Sequence, residues 1–361
     1  MTTGIVVHDA YLDHEQHPLH PERRERLRYT LDQITEEGLW DDTRIIRFTP
    51  HPAKEAELLL IHEPGYLNFL KHSSISGGFI DQDTIVPKGL WEGALLAAGG
   101  AITAGEVVHN RVVSNAFALV RPPGHHAKPW TGAGFCYLNN VAILVRSLQK
   151  MGYAKVLILD WDAHHGDGTQ VIFYDDPSVF FISIHERPLY PGTGYITETG
   201  SHRGEGYTVN IPVPHGTTDD SYQLIMREII IPLALEFKPN FIVVSAGQDN
   251  HYTDPITGLA LTAKGYAWLM QETVLLSQKV CKGRLVAVLE GGYSIEGGLP
   301  YINLGIIAAM AGIDIRNIRE PSSYLDLYKE SIDPEAYARV ENVIADLKKI
   351  QQRFWTSFSI K

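Results

Sequence analysis

Eight short, nearly unbroken apolar runs punctuate this chain of 361 residues, at 5–8, 44–48, 116–120, 155–160, 179–184, 207–211, 241–245 and 285–289. Several are almost pure Val, Ile and Leu, with no polar residue at alternate positions. A strand that faces water on one side alternates; one that does not is covered on both faces, as in a parallel sheet. Helix-forming segments at 23–37, 90–109, 139–151, 221–237 and 262–281 lie between many of the runs. Strand–helix alternation of this kind builds one parallel sheet with helices on both sides. No Pro/Ser/Gly-rich linker and no internal repeat divides the chain. The expectation is an α/β fold: a single domain spanning 1–361, with a central, mostly parallel eight-stranded sheet flanked by helices. A C-terminal helix from about 334 to 352 closes it.

Polar residues gather just beyond four of these strands. Arg121-Pro-Pro-Gly-His-His follows 116–120, and Asp160 to Asp167 follows 155–159. Ser245-Ala-Gly-Gln-Asp249 follows 241–244, and Glu290-Gly-Gly-Tyr293 follows 285–289. The carboxyl ends of parallel strands share one edge, where α/β proteins bind ligands. Four separate segments are thus expected at one site.

Their chemistry is specific. Asp160, Asp162 and His164 alternate along an extended backbone and would share one side. Asp162, His164 and Asp249 make a three-ligand set suited to Zn²⁺, leaving a fourth position for water. Any one of these aspartates alone reads better as a turn or helix cap; the cluster does not. His125 and His126 follow a rigid Pro-Pro-Gly turn, beside which Asp160 and Asp167 could each orient one imidazole. Tyr293, on a Gly-Gly hinge, offers a phenol to a developing oxyanion. Phe135, in the Gly-rich loop 132–137, and Tyr190 could form two aromatic walls of a slot.

Composition excludes other functions. Formal net charge is −11 and there is no basic block, so direct nucleic-acid binding is not expected. Only Cys136 and Cys281 are present, which argues against a disulfide framework and for a reducing, cytoplasmic setting. No signal-like N-terminus and no run of ~18 apolar residues is visible, so no membrane span is expected.

Six motifs in order, RPPGHHA (121–127), GFCYLNN (134–140), LDWDAHHGDGTQ (159–170), YPGTG (190–194), SAGQD (245–249) and LEGGY (289–293), resemble the zinc-dependent histone deacetylase family. HPLHPERRERL (17–27) extends the likeness, and LEGGY with SAG-x-D is closer to class II and bacterial or archaeal deacetylase-like amidohydrolases. The resemblance implies the arginase/deacetylase fold and one catalytic Zn²⁺ on Asp162, His164 and Asp249. It implies His126, supported by Asp167, as general base and acid, and His125, supported by Asp160, as an electrostatic partner. Tyr293 would polarise the carbonyl; Phe135 and Tyr190 would wall the acyl-lysine tunnel, with Gly134 meeting the substrate amide and Asp83 the substrate backbone at the rim. One or two structural K⁺ ions are implied, one using Asp160, Ser183, Ile184 and the backbones of Asp162 and His164. The other would use carbonyls of Phe173, Asp176, Val179 and Tyr207. Arg26 would line an internal channel behind the metal.

Two departures from the pattern are Gln248, which could alter the metal surroundings, and 250–252, which could alter the pocket rim; Ile256 stands where polyamine-selective relatives carry a carboxylate, which lowers the polyamine reading. The expected activity is removal of acetyl or another short acyl group from acyl-lysine, in a peptide or protein, or from a small acylated amine. The alternatives are an acetylpolyamine hydrolase, an arginase-like dimanganese enzyme and a non-catalytic acyl-lysine reader. The resemblance is compatible with a homo-oligomer as well as a monomer.

Overall fold

A computed structural model describes residues 1–359. Ten strands occur in chain order: β1 (Thr3–Val6), β2 (Ile45–Phe48), β3 (Gly78–Phe79), β4 (Ile85–Val86), β5 (Asn115–Ala118), β6 (Val156–Asp160), β7 (Val179–Glu186), β8 (Thr208–Val213), β9 (Phe241–Ala246) and β10 (Leu285–Leu289). Eight of them form one sheet in the order β2-β1-β5-β10-β9-β6-β7-β8, and every pair in it is parallel. β3 and β4 pair separately as a small antiparallel hairpin. All eight apolar runs are therefore strands of a single α/β sheet. Every residue of β1, β5, β6, β7, β9 and β10 is buried, which accounts for their lack of alternation.

The expected helices are present, three of them at Leu90–His109, Asn140–Lys150 and Ala263–Cys281. The stretch expected as one helix at 221–237 is two, Asp219–Ile225 and Ile231–Phe237, joined by a π-helical turn over Met226–Ile230. Pro232 lacks an N–H and follows directly; the wider turn absorbs the missing hydrogen bond. Two long helices were not expected, Pro64–Ser76 and Leu299–Ala311. The second is buried over almost its whole circumference, so it has no polar face to give a helical period. The C-terminal helix Ala336–Gln351 packs against β8. No helix among the described residues is long and apolar enough to cross a membrane.

Register brings the strand ends level. Asp160 lies beside Ser183 on one side and Ser245 on the other, Ala246 beside Leu289, and Ala118 beside Val288. The residues that follow β5, β6, β9 and β10 consequently emerge along one edge.

Candidate active site

β6 ends at Asp160, and the chain then leaves the extended conformation. Strand alternation therefore does not organise the next carboxylates; a succession of side-chain turns does. The Asp162 N–H donates to Asp160 Oδ1 (3.1 Å) and the His164 N–H to Asp162 Oδ1 (2.9 Å). This separates Asp160 from its neighbours: its Oδ2 faces His125 Nδ1 at 3.2 Å. Asp162, His164 and Asp249 instead present ligand atoms that all lie within 4.8 Å of one another. His164 Nδ1 is 3.1 Å from Asp162 Oδ1 and 2.9 Å from Asp249 Oδ2. The outer oxygens are fixed by backbone: Gly291 N–H donates to Asp162 Oδ2 (2.8 Å) and Ala163 N–H to Asp249 Oδ1 (2.8 Å).

This donor set fits a divalent cation. Burial, and then the Asp162 charge, push the Asp249 carboxyl up to about 6. Burial opposes charge on His164, but its hydrogen bonds to Asp162 and Asp249 outweigh it and raise the imidazole to about 10. The His164 imidazole thus lies between two buried carboxylates, and one imidazole with two carboxylates would satisfy a borderline ion such as Zn²⁺.

The tandem histidines diverge as expected. His126 Nδ1 lies 2.8 Å from Asp167 Oδ1, whose other oxygen pairs with Lys128 Nζ at 2.7 Å. Burial, reinforced by the neighbouring His125, lowers His126 to about 4. Burial also disfavours charge on His125, but Asp162 and Asp160 override it and hold this imidazole well above its ordinary value. Adjacent imidazoles are thus driven in opposite directions, His126 down and His125 up, because two carboxylates act on His125 strongly enough to override burial.

His126, His164, Tyr293, Gly134, Phe135, Tyr190 and Ile256 line one cleft of about 280 Å³, with Asp83, Asp81 and Leu189 completing its lining. The Phe135 ring meets Tyr293 edge-on at 5.7 Å, and Tyr190 meets His126 edge-on at 5.1 Å. Gly134 and Phe135 both adopt left-handed backbone, φ 52° and 69°, which for Phe stores about 1–3 kcal/mol. A Cβ on Gly134 would lie 2.5 Å from the His126 ring and 3.0 Å from that of Tyr190. Asp83 is exposed, its carbonyl 3.3 Å from His20 Nε2.

Other expectations are placed as follows. Arg26 is fully buried; its Nε donates to the Gly292 carbonyl (2.7 Å), Nη2 to that of Glu290, and its guanidinium lies 4.9 Å from the Tyr293 ring centre. Ser183 and Ile184 are buried on β7, next to Asp160. The carbonyls of Phe173, Asp176 and Tyr207 each already accept a backbone N–H, from Asp176, Val179 and Phe181. Gln248 does not face the three-residue cluster: its amide donates to Asn303 Oδ1 at 3.2 Å. Residues 250–252 are buried rather than at the rim. Asn250 binds Tyr222 and Tyr266, and His251 is 2.8 Å from Glu320.

Several contributors escaped the sequence. Glu290, inside LEGGY, accepts the N–H groups of Gly124 (2.7 Å) and His125 (3.1 Å) and so pins the histidine turn. Asp254 accepts the N–H groups of Tyr293 (2.7 Å) and Ile256 (3.1 Å). Glu22 lies between Arg121 (2.5 Å) and Arg26 (3.2 Å), all three buried. Lys128, two residues after His126, and Asp81, two before Asp83, had adjacency as their only signal.

A histone deacetylase domain model matches residues 20–303. A probable deacetylase of Archaeoglobus fulgidus is 57% identical over 358 residues, 99% of this chain and 100% of that one. The polyamine deacetylase HDAC10 of Homo sapiens is 37% identical over 292 residues, 76% of this chain and 42% of that protein. The crystal structure of the HDA15 HD domain matches with a TM-score of 0.88 at 31% identity, covering 99% of this chain and 96% of that one. The chain belongs to the histone deacetylase family. It is a hydrolase of the deacetylase class, acting on acylated amines.

Proposed function

We propose that this protein cleaves the amide bond of acetyl-lysine, or of a lysine bearing another short acyl group, releasing the acid and the free amine. The observation that carries this reading is the meeting of His126, His164 and Tyr293 in one aromatic-walled cleft, with Asp162 and Asp249 gathered on His164 behind it. Asp162, His164 and Asp249 would hold Zn²⁺, which when bound supplies Lewis acidity to the acyl carbonyl and to water.

The chain's own groups account for the proton movements. His126, its Nδ1–H directed at Asp167, takes a proton from the attacking water at Nε2. As the carbonyl becomes tetrahedral, the Tyr293 hydroxyl donates to its oxygen; burial keeps that phenol protonated, far above its ordinary value. The C–N bond then breaks and His126 returns its proton to the departing amine. His125, whose imidazole Asp162 and Asp160 raise well above its ordinary value against the cost of burial, stabilises the same negative centre. Phe135 and Tyr190 would hold the lysine methylenes, the Gly134 carbonyl the substrate amide, and Asp83 the substrate backbone. K⁺ at Asp160, Ser183 and Ile184, and at the carbonyls of Phe173, Asp176, Val179 and Tyr207, would brace the strand ends.

A second substrate class has one observation in its favour. Asp81 and Asp83 put two carboxylates at the cleft, where a second ammonium of an acetylated diamine could bind. Ile256, across the same cleft, offers such an ammonium nothing. Acetate release from an acetyl-lysine peptide and from a monoacetylated diamine decides between them. A higher kcat/KM on the peptide is expected; a preference for the diamine would overturn the lysine assignment.

A further inference from the structure

At the opposite, amino-terminal edge of the sheet lies a second cleft, of about 570 Å³, that takes no part in the chemistry above. Thr2, Ser114 and Arg284 line it just ahead of β1, β5 and β10, and Tyr153 shortly before β6. The ends of the helices Leu90–His109 and Ala263–Cys281 add His109, Arg111 and Lys282. Its permanent charges are all positive, in a chain of net charge −11. Among the described residues, no acidic side chain lines the cleft or pairs with Arg111, Lys282 or Arg284.

Basic residues are common at helix carboxyl ends, where each helix presents about half a negative charge. That role does not use up these three. The last carbonyls are closed by backbone: Arg111 N–H reaches Val108 O (3.1 Å), Val112 N–H reaches Val107 O (2.9 Å) and Gly283 N–H reaches Ser277 O (2.9 Å). Two half-charges also leave three full positive charges largely uncompensated. Arg284 is held ready: its Nε donates to Asn240 O at 2.8 Å, and its guanidinium lies 5.1 Å from the Tyr153 ring centre. The Tyr153 hydroxyl in turn meets His109 Nδ1 at 3.0 Å.

We propose that this cleft binds a small organic phosphate of nucleoside diphosphate size. Arg111, Lys282 and Arg284 line one cavity, and guanidinium and ammonium groups are the usual phosphate ligands. The volume is of the order of small-molecule sites, roughly 300–1,000 Å³, and exceeds what an inorganic anion fills. Val108, Val113 and Tyr153 also line the cleft and give it an apolar floor beside the basic groups.

The test is calorimetric titration of the full-length protein with ADP, with inorganic phosphate and adenosine in parallel. Arg111 and Lys282 have left-handed backbone, φ 58° and 61°, which glycine adopts without strain. The double variant Arg111→Gly/Lys282→Gly therefore removes two charges without disturbing the fold, which an unchanged or higher Tm verifies. One ADP per chain is expected, with affinity falling as salt rises and dropping about tenfold or more in the double variant. Asp162→Ala should leave ADP affinity unchanged. Three results would each overturn the proposal: no saturable ADP binding, equal affinity in the double variant, or phosphate binding as tightly as ADP. ADP binding lost in Asp162→Ala but kept in the double variant would instead put the ligand at the other edge.

Discussion

Tyr293 lines the cleft at the end of a turn that has no room for side chains on the two residues before it. A Cβ on Gly291 would overlap the carboxylates of both Asp162 and Asp249, and Gly292 adopts φ 117°. Gly291→Ala should therefore lower metal affinity as well as activity, which titration of metal content against acetate release checks. Tyr293→Phe removes only the hydroxyl proposed as oxyanion donor. It should lower kcat by about 10²–10³-fold while keeping full metal content; near-normal turnover would remove Tyr293 from the mechanism. Asp167→Asn should cost about 10–100-fold in activity through misorientation of His126, with the metal retained. At this scale the sequence was informative where residue types are chemically constrained, as in Asp162, His164 and Asp249. It was silent on Glu290 and Asp254, because a carboxylate that accepts backbone N–H groups has no fixed spacing from its donors.

The strand-end loops are tied to the N-terminal segment by one buried ionic group. Glu22 receives Arg121 and Arg26, while Arg26 also grips the carbonyls of the Glu290–Gly292 turn. Removing one member of a buried ion group leaves the others uncompensated, so Glu22→Gln should destabilise by about 3–5 kcal/mol. Burial opposes the Glu22 charge, yet Arg121 and His14 outweigh it and hold the carboxyl well below its reference 4.5. With the folded value lower than the unfolded, the unfolded chain binds more protons in that window, and stability rises with pH. The contribution is complete above about 4.5 and is lost as pH falls toward the folded value. Urea unfolding at pH 7 and pH 4 should then show the wild type losing more stability than Glu22→Gln; equal losses would deny Glu22 this role. Elements followed the sequence wherever burial imposed a pattern, as in the eight strands. Leu299–Ala311 was missed because a helix buried all round has no period, and the 226–230 turn because its cause, Pro232, lies beyond it.

Topology explains why this chain is legible as a whole. In a parallel sheet, level strand ends force the loops after β5, β6, β9 and β10 onto one edge, so motifs about 170 residues apart had to meet. The mouth of the cleft followed no such rule: Asp81 and Asp83, Leu189, and Ile256 come from three loops whose course no period encodes. Gln248 and 250–252, unusual in sequence, proved to be interior supports facing Asn303, Tyr222, Tyr266 and Glu320. The central claim is that Asp162, His164 and Asp249 hold one ion without which the cleft cannot cleave an amide. Acetate release from an acetyl-lysine peptide, measured on chelator-stripped protein during stepwise return of Zn²⁺, tests it directly. Activity should be absent at the start and reach its plateau at one ion per chain; undiminished activity in the stripped protein would contradict the account.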